Sequence, residues 1–269
     1  MRDVSDAMAW ARSTLCTLPL LCHGLTLDPS RVVVVGWSTG GHLAMTTAFT
    51  SIERGLSPPN AILAFYCPTD YEDPVWMQPN YPENTDVDGL SVMKYNLLEG
   101  VQDRPITAYN IPLTSRSNSK AGGTPAGGWM APDDPRSRIV LHMNWKGQCL
   151  PVLLRGLPPS NSLSPVDAEK LMFQPQPEIE EIRRVSPYAQ IQRGVYRTPT
   201  FVIHGTDDDL IPYEQSVRTV QALKDMGVRA EVSVAQGKAH LFDMFKDTDG
   251  SSWEVVKRGY DFLKEVSGK

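Results

Sequence analysis

A serine set between glycines, a histidine close to the C-terminus and a run of three aspartates between them are the residues of this 269-residue chain whose types and spacing suit chemistry. Gly36-Trp37-Ser38-Thr39-Gly40 fits the pattern G-x-S-x-G, and it stands after a β-branched run and before a helical stretch, where that pattern acquires chemical meaning. A serine hydroxyl is a weak nucleophile at neutral pH; it needs a base, and the base needs an orienting acid. His240 follows the strand-like Arg229 to Ala235 and the loop Gln236-Gly237-Lys238-Ala239, while Asp207, Asp208 and Asp209 follow the strand-like Thr200 to Ile203. A serine, an acid and a histidine in that order, each just past the C-terminal end of a strand, gather at one edge of a parallel sheet. The chemistry of such a set is attack on an acyl carbonyl with general-base help. Spacing alone leaves open which aspartate orients the imidazole.

The glycines beside Ser38 are expected to be required by a strained turn that pushes the hydroxyl out of the strand end, where a side chain on either neighbour would collide. Gly41 is expected to let the following helix start close to the sheet. Ser38 then lies at a helix N-terminus, where free N–H groups favour negative charge, and the N–H of Thr39 is the natural oxyanion donor.

The elements that must position these residues read as an α/β fold. Val4, Met8, Ala11 and Leu15 share one face of a helix over 3–16, with Asp3 or Ser5 near its start. Arg31 to Val35 reads as a strand buried on both faces, 36–41 as a turn, 39–50 as a helix and Ala61 to Tyr66 as a second buried strand. The rhythm returns with a strand at Thr200 to Ile203, a helix from Glu214 to Met226 closed by Gly227, a strand at Arg229 to Ala235 and a helix over 252–265. Alternation of this kind predicts a doubly wound, mostly parallel sheet.

Residues 1–67 and 186–269 therefore form the core, and 68–185 read as a large helical cap insertion. Short helices are expected there at 89–98, 136–146, 166–173 and 178–185, and no regular element in the Gly/Pro-rich stretch near 118–135. Phe65, Tyr66, Tyr71 and Trp76, at or beyond the end of the second strand, are placed to wall an acyl pocket or to pack the core. Asp70 and Tyr71 belong to a turn, Pro68 to Tyr71, that could face a substrate. With Thr39 and Trp37 beside the serine, and Tyr66, they complete the set of candidate oxyanion and substrate-binding residues. His204 ends a strand and is expected to hydrogen-bond the backbone. His42 is expected to pack beneath the site, and His23 and His142 fall in no chemical pattern.

Composition is that of a globular protein, with 41 % hydrophobic and 21 % charged residues. A formal charge of −5 and the lack of a basic block argue against nucleic acid or an anionic membrane as partner. Cys16, Cys22, Cys67 and Cys149 form no metal-binding spacing and read as reduced thiols in a cytoplasmic protein. No apolar run approaches the roughly 18 residues of a membrane span. The chemistry needs neither a metal nor an organic cofactor.

The segments GWSTGGHLA, FYCPTDYEDP, TPTFVIHGTDDDLIPYEQS and GKAHLFD resemble the α/β-hydrolase superfamily. Within it they are most similar to the C-terminal esterase or thioesterase domains of fungal non-reducing polyketide synthases that also carry a methyltransferase. The resemblance implies that the acid is the fifth residue of H-G-x-x-D-x-x-[VI]-P, here Asp208, with Asp207 in reserve and Asp209 a solvated turn residue. It also implies a small-molecule acyl ester or thioester substrate, including a polyketide tethered to a carrier protein. A general carboxylesterase and a non-catalytic remnant are the competing readings. Relatives place an H-G-G-x oxyanion loop and several strands ahead of the helix that opens this chain, and neither occurs here. The expectation is a sheet lacking its first strands, an exposed edge at Val32 to Val35 and low activity.

Overall fold

The computed structural model describes residues 1–19, 26–79, 143–144, 146–156, 175–244 and 250–268. Four strands, β1 (Val33–Trp37), β2 (Ala61–Phe65), β3 (Thr200–Gly205) and β4 (Ala230–Ala235), form one sheet in the order β1-β2-β3-β4, with every neighbouring pair parallel. The register is level: Trp37 stands opposite Phe65, Phe65 opposite Ile203, and Gly205 opposite Ala235. The residues that leave the four strand ends therefore emerge along a single edge.

The helices among the described residues are α1 (Arg2–Ser13), α2 (Thr39–Glu53), α3 (Cys149–Arg155), α4 (Ile179–Val185), α5 (Pro187–Gln192), α6 (Tyr213–Asp225) and α7 (Gly250–Ser267). Side chains alternate across a strand, so β2 and β3 show different residues to the two faces. Ile62, Ala64 and Val202 pack with Ala44, Met45, Ala48 and Phe49 of α2, Ile191 of α5, and Val220 and Leu223 of α6. Leu63, Phe201 and Ile203 point the other way, to α7: the Phe201 and Phe262 rings lie 5.4 Å apart, and a Cβ on Gly259 would stand 2.6 Å from a Leu63 methyl. Full burial of a side chain such as Phe49 or Leu63 contributes about 2–3 kcal/mol, which makes these two layers the main support of the sheet. His42 is buried on α2 and donates from Nε2 to the Val185 carbonyl at 2.9 Å; burial lowers its pKa to about 4, so it packs as a neutral ring.

Contacts divide the chain into two units, Met1–Asp70 with Arg183–Lys269, and Tyr71–Ile182. The second contains a 3₁₀ turn at Pro74–Trp76 that starts with the Asp73 side chain accepting from the Val75 N–H at 3.1 Å. It also contains α3, closed by Gly156. No helix among the described residues is long and apolar enough to cross a membrane.

Several expectations need correction. The first helix stops at Ser13 and gives way to a 3₁₀ turn, Leu15–Thr17; no side chain caps its start, because Ser5 is buried and bonds Thr50 Oγ1 at 3.2 Å. Strand β1 starts at Val33 and runs on through Gly36 and Trp37, which had been read as turn. It is only half-buried, being one of the two edge strands of this sheet among the described residues. Strand β3 continues through His204 and Gly205. Gly36 and Gly205 are strand residues because the neighbouring strands, at Ala64 and Ala235, keep the chain extended. Helix α3 was not expected. The helices expected at 89–98 and 166–173, most of 136–146, the stretch near 118–135, His23 and His142 lie outside the described residues.

The turn after β1 is set by backbone contacts. Ser38 has φ 51° and ψ −126°, a region that L-residues rarely occupy and that costs on the order of 1–3 kcal/mol. Its N–H is held by the Phe65 carbonyl at 2.9 Å, and its own carbonyl accepts from Gly41 and His42 as α2 begins. A Cβ on Gly36 would lie 2.1 Å from the Gly40 carbonyl oxygen, and one on Gly41 2.7 Å from the Cys67 Cβ. Gly40 itself faces open space, so the expectation that both flanking glycines are sterically required holds for Gly36 and fails for Gly40. Accordingly, Gly36→Ala should lower stability by about 3 kcal/mol or more. Gly40→Ala should be neutral or gain up to about 1 kcal/mol from helix propensity. Urea denaturation of the two variants checks this, and equal losses would contradict it.

Candidate active site

Each chemically suited side chain sits just past or at the end of a strand. Ser38 follows β1, Tyr66 follows β2, Asp208 lies in the loop after β3, and His240 lies in the loop after β4. His240 Nε2 is 3.0 Å from Ser38 Oγ, and His240 Nδ1 is 2.7 Å from Asp208 Oδ2. The imidazole thus joins hydroxyl and carboxylate in one hydrogen-bonded line. In the neutral ring Nδ1 donates to the carboxylate, which leaves the Nε2 lone pair for the serine proton.

Asp208 is surrounded by donors. Oδ1 accepts from the N–H groups of Leu210 and Ile211, each at 3.0 Å, and Oδ2 accepts from His240 and, at 3.1 Å, from His204 Nε2. Its side chain has no exposed surface. Burial by itself would raise the pKa of this carboxyl, but the hydrogen bonds from His204 and His240 outweigh that and hold it well below the usual carboxylate range. With a folded-state pKa below the unfolded one, the stability this carboxylate contributes is present above the unfolded value and is lost as pH falls through the folded one. Asp207 is exposed and accepts from the Thr206 hydroxyl at 3.0 Å, and Asp209 is exposed as well.

His204 does bond the backbone, at 3.0 Å from the Ile211 carbonyl, but its place inside β3 also brings it to Asp208, which the sequence reading did not anticipate. Its other nitrogen lies 2.6 Å from Ser216 Oγ.

The candidate oxyanion and substrate-binding residues fall into distinct settings. Thr39 is exposed at the first position of α2, where a backbone N–H has no acceptor within the helix. Trp37 stacks on Phe65 with centroids 5.0 Å apart and donates from Nε1 to Asp243 at 3.0 Å. The Tyr66 hydroxyl donates to the other Asp243 oxygen at 2.6 Å, and its ring meets His240 edge-on at 4.7 Å. Burial, and then the Asp243 charge, push the Tyr66 phenol far up, so it remains a donor committed to Asp243. Asp70 is committed too, its carboxylate 3.0–3.1 Å from the Arg218 guanidinium. Tyr71 belongs to the second unit, where its ring meets Trp76 at 5.4 Å.

Sequence reasoning missed Asp243, whose partners are distant in the chain, and Ser216, one helix turn into α6 and 12 residues from His204. The nearest available signal was the place of Asp243, three residues beyond His240 in the same loop. Burial raises the Cys67 thiol to about 12, which rules it out as a competing nucleophile at neutral pH. No group of three or more His, Cys, Asp or Glu side chains among the described residues could hold a metal ion.

Comparison with known proteins agrees with this architecture. Residues 1–107 match the model of the alpha/beta hydrolase fold family, and residues 160–269 match that of the prolyl oligopeptidase family. The chain is 95 % identical, over its whole length, to 11 % of the non-reducing polyketide synthase pkbA of Emericella nidulans. Over 97 % of its length it is 51 % identical to 10 % of the 5-methylorsellinic acid synthase of Aspergillus terreus. It spans about a tenth of the length of these relatives. Among solved structures, a propionate-bound esterase of Thermogutta terrifontis is 20 % identical at a TM-score of 0.48, covering 98 % of this chain and 64 % of that one. The chain has the α/β-hydrolase fold and is homologous to the C-terminal region of fungal non-reducing polyketide synthases.

Proposed function

We propose that the chain is a serine hydrolase that releases an acyl group from an ester or thioester, its substrate being a polyketide carried on the phosphopantetheine arm of a carrier protein. The observation that carries this reading is the continuous line from Ser38 Oγ through His240 to Asp208 at one sheet edge. The similarity to polyketide synthases supports the choice of acyl group. A cytoplasmic setting, and an acyl-selecting role for the insertion expected at 68–185, belong to the same proposal.

In this mechanism Ser38 Oγ attacks the carbonyl carbon while His240 Nε2 takes its proton. The negative oxygen of the tetrahedral intermediate meets the Thr39 N–H at the positive end of α2. Collapse breaks the bond to the leaving sulfur or oxygen, which receives the proton from the imidazolium, and leaves an acyl group on Ser38. Water then repeats the sequence with His240 as base. Asp208 stays ionised throughout, holding the Nδ1–H tautomer and stabilising the imidazolium. Tyr66 and Trp37, tied to Asp243, pack the imidazole and the base of the turn in place.

Two outcomes follow. A serine-directed fluorophosphonate should modify Ser38, with labelling lost in Ser38→Ala. Asp208→Asn should lower turnover by about 10² or more, because the histidine is left in the wrong tautomer, whereas Asp207→Asn should change it little. Labelling that survives Ser38→Ala, or equal losses in the two aspartate variants, would contradict the assignment.

Substrate class is read by kcat/KM on an acyl phosphopantetheine thioester against a short p-nitrophenyl ester. The proposal expects the thioester to be preferred. Preference for the short ester would favour a general carboxylesterase, and no turnover of either a non-catalytic domain.

A further inference from the structure

We propose that His204 is a positioning residue for the Ser38–His240–Asp208 array: anchored in β3 and by the Ser216 hydroxyl, it donates from Nε2 to the Asp208 carboxylate and fixes it in the orientation that meets His240. This rests on the proposed hydrolase reading for its consequence, though not for its geometry.

The tautomer follows from counting donors. His204 Nε2 lies 3.1 Å from Asp208 Oδ2 and 3.0 Å from the Ile211 carbonyl oxygen, and an ionised carboxylate and a carbonyl can only accept. The proton must therefore sit on Nε2. Nδ1 meets Ser216 Oγ, 2.6 Å away, a hydroxyl that donates to its lone pair in the neutral ring. Both residues have no exposed surface, so water cannot take over either bond. Reversing the tautomer would aim a lone pair at two acceptors in a dry site, an arrangement that apolar surroundings strongly disfavour.

The result is a second imidazole on the same carboxylate oxygen that His240 uses. It has a task that the loop amides cannot perform. Leu210 and Ile211 N–H groups hold Oδ1 and leave the carboxylate free to tilt about that end. His204 approaches Oδ2 from strand β3, a rigid element, and binds the Ile211 carbonyl of the same loop. The carboxylate plane and the loop are thereby referred to the sheet, and His240 meets an oxygen whose place is already determined. Ser216, on α6, ties that reference to the helix that follows the loop.

The test combines a spectroscopic readout with the rate of fluorophosphonate labelling of Ser38, both on the full chain. With five histidines in the sequence, nitrogen-15 NMR of the imidazoles can be assigned by substitution. Wild-type His204 is expected to carry a proton on Nε2, and Ser216→Ala to keep it while the Nδ1 resonance shifts on loss of its hydroxyl partner. His204→Gln, whose amide can still donate to Asp208, should label Ser38 within a few fold of wild type. His204→Leu should label on the order of tenfold to a hundredfold more slowly, as expected for a misplaced reacting group. If His204→Leu does not fold, the smaller change Ser216→Ala carries the rate comparison and should be slowed in the same direction. A wild-type His204 without a proton on Nε2, or undiminished labelling in His204→Leu or Ser216→Ala, would overturn the proposal. Absence of labelling in wild type would instead overturn the hydrolase reading, and the tautomer measurement would still decide the role of His204.

Discussion

An ionised carboxylate without exposed surface is the constraint around which this site is organised. Burying such a charge is costly unless its oxygens are met by donors, and Asp208 is met by four: two loop amides, His204 and His240. Those donors come from the loop after β3, from β3 itself and from the loop after β4. The charge can stay dry only when all three are in place, and the same closure delivers His240 to Ser38. Removing donors one at a time would leave the carboxylate to be protonated or the loop to open, and either event separates the imidazole from its orienting partner.

The other half of the site is held by backbone rather than by charge. Ser38 occupies a strained conformation that persists because its N–H is fixed by β2 and because the turn closes over a glycine without a Cβ. The tight point is the approach of Gly36 to the Gly40 carbonyl, and the approach of Gly41 to Cys67 brings α2 down on the strand ends. Asp243 joins the halves: it reaches Trp37 beside the serine and Tyr66 against the histidine, so the loop that carries His240 is moored to the ends of β1 and β2.

Much of this was legible in the sequence because it is local. The strand, glycine turn and helix around Ser38 are contiguous, and the order of serine, aspartate and histidine past strand ends follows from alternation of elements. The choice among Asp207, Asp208 and Asp209 was not local: only the resemblance pointed to Asp208, since nothing in three adjacent aspartates tells which side chain turns inward. The structure separates them by burial and hydrogen bonding. Contacts over long separations were out of reach, as Asp243 shows with partners 177 and 206 residues away. A glycine in a motif suggests a steric need, but at Gly40 the Cβ direction is open, which only the three-dimensional arrangement reveals. The polar groups of Asp70 and Tyr66, both candidates for substrate binding, are engaged by Arg218 and Asp243.

The central claim, that Asp208 is a buried anion held by four donors, is tested most directly by carbon-13 NMR of its side-chain carboxyl during an acid titration of the folded protein. At a pH near 4, where an ordinary aspartate is about half protonated, the Asp208 signal should still report the ionised form, in keeping with its lowered pKa. An Asp208 carboxyl half protonated at that pH, or titrating above it, would contradict the account.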